Sequence, residues 1–290
     1  MARLLIFLVR IIALLPFGVL FLFSDFLYFM LFGLFSYRKQ VIRENLVKSF
    51  PEKSTAEIRA IEKGFYHFFT DMIVETIKNF RIPTAKTGKY IQIKNPELLS
   101  EFFQKEKNVL VVMGHHGNWE YILSMLNPLI DHQLNVLYKP FKSEVFHEIL
   151  AYERRKHGIE IIPMKSALRT MMRYDKPTVT VFIADQAPSN VDTLWTNFLN
   201  QETPIFEGPE RIGAHLKSPV LFLSVKRTGR GHYELEFKLI SEDASKEDTN
   251  QISLEHTKML EADINRQPHT WLWSHKRWKR QRPNDIELIN

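Results

Sequence analysis

The sequence predicts an α/β fold: a mostly parallel central sheet flanked by helices, with an N-terminal membrane helix or helical hairpin. Three observations carry that expectation. From Asn108 onward, short apolar runs rich in Val and Ile alternate with stretches of helical periodicity, the signature of βαβ units. The first three dozen residues are almost wholly apolar. The remaining chain is long and apolar enough for a sizeable core, with 290 residues in all and 44% of them hydrophobic. The division expected is a membrane-anchoring segment over residues 1–36 and a single α/β domain over residues 37–290.

The apolar segment runs from Leu4 to Phe35 and is interrupted by Arg10, Pro16 and Asp25. It is long enough to reach across a hydrocarbon core of about 30 Å. The break at Asp25 leaves two readings, a single tilted span or a kinked hairpin within one leaflet. Arg38, Lys39 and Arg43 follow at once, which places the body of the protein on the cytoplasmic side, although Arg3 and Arg10 weaken the asymmetry. A cleaved signal peptide is not expected, because the run is too long and no small-x-small site closes it.

Pro51 then ends one helical stretch, and Ser54 or Thr55 is placed to cap the next. Ile58, Ile61, Phe65, Phe68, Phe69, Met72, Ile73 and Ile77 recur at helical spacing over Thr55 to Phe80, giving a long helix with one buried face. Strands are expected at 108–113, 134–139, 159–163 and 178–184, with helices beginning at Trp119 and Ser143 and another over Ala167 to Tyr174. Two further strands, 219–227 and 232–240, are joined by a short turn and read as an antiparallel edge pair. A solvated loop precedes a last helix over Ile252 to Asn265, and an aromatic, basic tail follows. No internal repeat is visible.

The formal net charge of +6 points to an anionic partner without choosing among nucleic acid, phospholipid surface and acidic substrate. The chain has no cysteine, which excludes a disulfide frame and a thiolate nucleophile and leaves a zinc site only His and carboxylate ligands.

Chemistry concentrates in GHHGNWE, Gly114 to Glu120. In open α/β sheets, reactive groups gather at the carboxyl ends of strands, and His115 falls at the exit of the strand ending at Met113. Asn118 is a candidate N-cap, with Glu120 in the first helical turn. On one continuous helix His115 and Glu120 would diverge by about 140°, but a turn made permissive by Gly114 and Gly117 lets them fold back and meet. A carboxylate on one ring nitrogen fixes the tautomer and leaves the other nitrogen free to accept a proton from a hydroxyl. Such a general base with an orienting partner is worth on the order of 10²- to 10⁴-fold in rate. Adjacent histidines point apart and the spacing is not His-Glu-x-x-His, so no metal is expected. A reading of the motif as HHxxxE would make His116 the base.

With these residues in view, the sequence resembles the lipid A biosynthesis acyltransferases, the lauroyl/myristoyl transferase family within the wider His-x4-Asp/Glu lysophospholipid acyltransferases. The resemblance runs over nearly the whole chain. It lies in the apolar N-terminus and in YRKQVIRENLVKSFPE (37–52), GHHGNWE (114–120), LYKP (137–140), ERRKHGI (153–159), ADQAP (184–188), TPIFEGPERIGAHLKSPV (203–220) and PHTWLWSHKRWKRQRP (268–283). It implies an acyltransferase at the bacterial inner membrane, with its catalytic domain on the cytoplasmic side and His115 and Glu120 as the catalytic pair. The donor it implies is an acyl carrier protein thioester, or less often acyl-CoA, and the acceptor a hydroxyl of an anionic membrane lipid, a lipid A precursor. No cofactor beyond that co-substrate is expected. The sequence departs from the family pattern where His116 replaces a usual Phe, where Ala184 replaces Pro before Asp185 and Gln186, and where NFLN (197–200) replaces a glycine-bearing aromatic pair. Those departures leave a lysophospholipid or amino-acid lipid open as the acceptor.

With no cysteine and no Gly-x-Ser-x-Gly elbow, direct attack on the thioester without an acyl-enzyme is expected. Backbone N–H groups around Gly117 and Asn118 are candidate oxyanion donors, with Lys139 or Arg155 as cationic assistance. Lys139, Arg154, Arg155 and Lys165 lie near predicted element ends on the side of His115 and are candidate phosphate ligands. Asp185 and Gln186 end a strand and are expected to line the site. In the tail, Trp271, Trp273 and Trp278 are interleaved with Lys276, Arg277, Lys279, Arg280 and Arg282, a composition suited to a bilayer surface, with at least one tryptophan expected in the core. The apolar N-terminus favours lipid, and no nucleic-acid partner is expected. A non-catalytic basic membrane- or nucleic-acid-binding protein is the alternative of another class.

Overall fold

The computed structural model describes residues 2–138, 144–188 and 190–289. Helix α1 (Ala2–Ile12) and helix α2 (Phe17–Tyr28) meet at a bend set by Pro16, and α2 continues as a π-helical turn over Phe29–Leu34. Then come α3 (Lys39–Ser49) and the long α4 (Thr55–Asn79). A capping box starts α4: Ser54 Oγ accepts from Glu57 N, and Glu57 Oε2 accepts from Ser54 N at 2.8 Å, satisfying two end donors reciprocally. The α/β body follows as β1 (Ile91–Ile93), α5 (Glu97–Gln104), β2 (Val109–Met113), α6 (Trp119–Leu126), β3 (Gln133–Tyr138), α7 (Glu144–Lys156), β4 (Glu160–Pro163), α8 (Ala167–Met171) and β5 (Thr178–Ile183). A hairpin of β6 (Trp195–Phe198) and β7 (Gln201–Pro204), then α9 (Gly208–Leu216), β8 (Val220–Gly229), β9 (His232–Ser241) and α10 (Gln251–Arg266), follow, with short 3-10 turns between elements and at Pro268–Thr270.

Seven strands form one sheet in the order β1-β9-β8-β2-β5-β3-β4. All pairings are parallel except β8 with β9. Strand β2 lies between β8 and β5, and all five of its residues are buried, as a parallel strand covered on both faces requires. Its alternate residues serve two separate cores. Val109, Val111 and Met113 join α5 and α6 on one side, while Leu110 and Val112 join α8 and residues preceding α10 on the other. A third core under α3, α4 and α10 takes in Trp271 and Trp273 from the C-terminal tail.

The α/β expectation holds, with two corrections at the edges. The pair 219–227 and 232–240 is antiparallel but is not an edge, because β1 pairs in parallel with β9 and closes the sheet there. Three residues are too few for β1 to show a period in the sequence. The β6–β7 hairpin was not anticipated either. It turns through Leu199 and Asn200, both at positive φ, the mirror-image turn geometry for which glycine or asparagine is the usual sequence signal.

The apolar N-terminal segment packs along α4. Ser24 Oγ donates to Asp71 Oδ1 at 2.7 Å, Asp25 pairs with Arg230 at 2.7 Å, and Lys78 Nζ donates to the carbonyls of Ala13 and Leu15 at 3.0 and 2.7 Å. Its outer side exposes Leu4, Phe7, Leu14, Leu22, Phe26 and Phe29. Phe17–Leu34 is apolar and long enough to cross a membrane, and 11% of it is buried within the molecule.

Candidate active site

The adjacency of β2 and β5 builds the site. Met113 is in register with Ile183, and Ala184 N donates to Met113 O at 3.0 Å, so the two chains leave the sheet side by side. His115 and Asp185 each lie two residues past their strand end and therefore face one another. Asp185 Oδ1 contacts His115 Nδ1 at 2.5 Å, and Asp185 Oδ2 accepts the His115 backbone N–H at 2.8 Å and the Trp271 indole N–H at 2.7 Å. Burial alone would raise the Asp185 pKa, but the His115 charge and these hydrogen bonds hold it well below the usual carboxylate range. The ring nitrogen facing Asp185 carries the proton, and Nε2 is left as the acceptor, with Gln186 Nε2 at 3.2 Å. The His115 side chain is 13% exposed, and the edge of the Trp119 ring lies against it at 4.7 Å between centroids.

Two glycines permit this approach. A Cβ on Gly114 would stand 2.5 Å from Leu260 Cδ1 and 3.2 Å from Asp185 Oδ2. Gly117 has φ +68°, and a Cβ there would meet Val225 at 2.6 Å. The loop is clamped from outside by the C-terminal segment: Gly117 N donates to Thr270 O at 2.9 Å and Leu272 N to His115 O at 3.2 Å. His116 and Trp271 form an isolated antiparallel bridge. His116 itself points inward, 2% exposed, with Nε2 at 2.9 Å from Thr270 Oγ1. Burial pushes its pKa down to about 4, so the reading of His116 as base is set aside in favour of His115.

The carboxylate that meets His115 Nδ1 is that of Asp185, and Glu120, expected to fold back to His115, meets Arg154. Asn118 caps α6 as anticipated, its Oδ1 accepting from Tyr121 N at 3.2 Å, so the helix starts at Trp119 and Glu120 sits in its first turn. Both Glu120 oxygens there accept from Arg154 Nη2 of α7 at 2.9 Å. Asn118 Nδ2 also donates to the buried Glu75 carboxylate at 3.0 Å. The Gly117 N–H, considered as an oxyanion donor, is taken by Thr270. Arg154 is buried, while Arg155 and Lys165 are exposed. Lys139 lies outside the described residues.

The tail divides between core and surface. Trp271 and Trp273 are 1% and 0% exposed and Arg277 is 2% exposed, so the core placement expected of at least one tryptophan holds, while Lys276, Lys279 and Arg280 are exposed. Trp271 as a donor to Asp185 was missed by sequence reasoning, because an aromatic, basic tail carries no periodic sign of where it docks.

The sheet and this pair define a class: an α/β enzyme presenting an imidazole, oriented by a buried carboxylate, at the carboxyl edge of its central strand, with no thiol anywhere in the chain. The bacterial lipid A biosynthesis acyltransferase family matches residues 1–280, and the chain belongs to that family and is an acyltransferase. Among curated proteins it is similar to the lipid A biosynthesis palmitoleoyltransferase of Escherichia coli strain K12, 20% identical over 247 residues, which cover 83% of this chain and 79% of the relative. It is equally similar, with the same identity and coverage, to the lipid A biosynthesis acyltransferase of Shigella flexneri.

Proposed function

We propose that this chain transfers a fatty acyl group from a thioester donor, an acyl carrier protein thioester or acyl-CoA, to a hydroxyl of a lipid A precursor. The observation that carries the reading is His115 held through Nδ1 by Asp185, its side chain 13% exposed and its Nε2 met by Gln186 Nε2 at 3.2 Å, the contact an acceptor hydroxyl would replace. His115 Nε2 takes the proton of the acceptor hydroxyl as its oxygen attacks the thioester carbonyl. The C–O bond forms, the C–S bond breaks, and the departing thiolate recovers the proton from the imidazolium. Asp185 stabilises the imidazolium between these steps. Glu120 acts through Arg154: it holds a buried guanidinium in place beside the first turn of α6.

Residues 1–36 would serve as the membrane anchor and residues 37–290 as the catalytic domain, at the cytoplasmic face of the inner membrane. The exposed apolar side of α1 and α2 supports this, since contiguous apolar surface on that scale belongs against lipid.

The test supplies purified protein with acyl carrier protein thioester or acyl-CoA, and with a lipid A precursor or a lysophospholipid, and follows the mass of the product. Transfer to the lipid A precursor, lost by at least about 10²-fold in His115→Ala, is expected. Undiminished transfer by His115→Ala would reject the base, and transfer to the lysophospholipid alone would reject the acceptor.

A further inference from the structure

Arg277 takes no part in the acyl-transfer step, yet the fold buries it at 2% exposure. Its Nη1 donates to Thr203 Oγ1 at 2.5 Å and its Nη2 to Pro204 O at 2.8 Å. Both acceptors are neutral, and Nε is buried with no partner. Among the described residues no carboxylate oxygen comes within 4.0 Å of it. A buried guanidinium without a paired charge is among the costliest groups a fold can hold.

Asp185 is the carboxylate that acts on Arg277, across a narrow cavity that both line together with His256, Phe198, Ile205 and Phe222. The charges that face Asp185 can be traced element by element. His115 comes from the exit of β2, His256 from α10, and His275 and Arg277 from the C-terminal segment, with Lys279 beyond His275. Burial pushes His256 and His275 down to about 4, so both are neutral near pH 7. Burial lowers Arg277 to about 10, which leaves it a cation there.

We propose that Arg277 is a positioning residue for the His115–Asp185 pair: its buried positive charge balances Asp185 across the cavity that both line, and the β6–β7 hairpin exists in part to hold it. This inference rests on the acyl-transfer reading and deepens it. Without that charge, the pair holds its proton more tightly, and the imidazole is withdrawn from service as a base at higher pH than before.

The test measures kcat/KM against pH for the full chain in detergent, as wild type, Arg277→Met and Arg277→Lys. The acidic limb is expected to move up by about one pH unit in Arg277→Met, with activity recovering at high pH, and to stay in place in Arg277→Lys. A uniform loss at every pH, equal in both variants, would make Arg277 a strut of the hairpin and overturn the proposal. Thermal unfolding of Arg277→Met, Asp185→Asn and the double variant gives a readout independent of activity. The double variant is expected to lose less stability than the sum of the singles, and to fold even where Arg277→Met alone does not. Additive losses, or a double variant that fails to fold, would overturn the charge pairing. Should the wild type transfer no acyl group at all, this cycle still decides the matter for Arg277.

Discussion

At the scale of the residue, the site depends on which carboxylate meets His115. Asp185 makes three contacts with His115 and Trp271, whereas both oxygens of Glu120 are engaged by Arg154. Asp185→Asn removes the charge that stabilises the imidazolium and lets the ring adopt the wrong tautomer, so kcat should fall about 10³-fold with little change in KM. Glu120→Gln strips a buried guanidinium of its charge partner, and its loss of activity should come with a lowered melting temperature. Steady-state kinetics and thermal unfolding on the same preparations separate the two. A Glu120→Gln variant that melts like the wild type yet is inactive would return Glu120 to the chemistry itself.

At the scale of the element, β2, α6 and the Asn118 cap were legible in the sequence because an apolar run, two glycines and a cap residue each carry a local physical requirement. His115 at the exit of β2 and Asp185 at the exit of β5 were legible singly for the same reason. Their meeting was not, because hydrophobic periodicity does not say which strands become neighbours; only the register of Met113 with Ile183 brings the two ends together. The glycine turn does not fold Glu120 back onto His115. Asn118 instead launches the helix at once and sends Glu120 toward α7. Gly117→Ala tests the loop: a left-handed φ of +68° and a Cβ 2.6 Å from Val225 should cost roughly 1–2 kcal/mol for the conformation alone and more for the contact. Denaturant unfolding should show a lowered midpoint, and activity should fall further than stability if the loop shifts His115.

At the scale of the whole molecule, two buried imidazoles and one half-buried one couple stability to pH. Burial holds His116, His256 and His275 near 4, below the ordinary histidine value of 6.5. The unfolded chain therefore binds these protons first on acidification. Their contribution is fully present above about 6.5 and is lost as pH falls through about 4. The melting temperature should accordingly drop by on the order of 10 °C between pH 7.5 and pH 5, and a melting temperature unchanged over that interval would contradict the buried neutral state of these rings. The N-terminal segment answers to the same whole-molecule logic. Its inner side is pinned to α4 by Ser24 and by the carbonyls that Lys78 caps, and to the β8–β9 turn by the Asp25–Arg230 pair, while its outer side leaves apolar residues exposed.

The clamp of Thr270 and Leu272 on the histidine loop joins residues far apart in synthesis, since about 150 positions separate Gly117 from its acceptor at Thr270. Asp185 likewise waits for the indole of Trp271. A growing chain that already displays the whole sheet from β2 to β5 thus still holds its imidazole in an unfastened loop. Competence is expected only once the segment carrying Thr270, Trp271 and Leu272 has docked on the loop, so a product terminated before Thr270 should fold its strands and stay inactive.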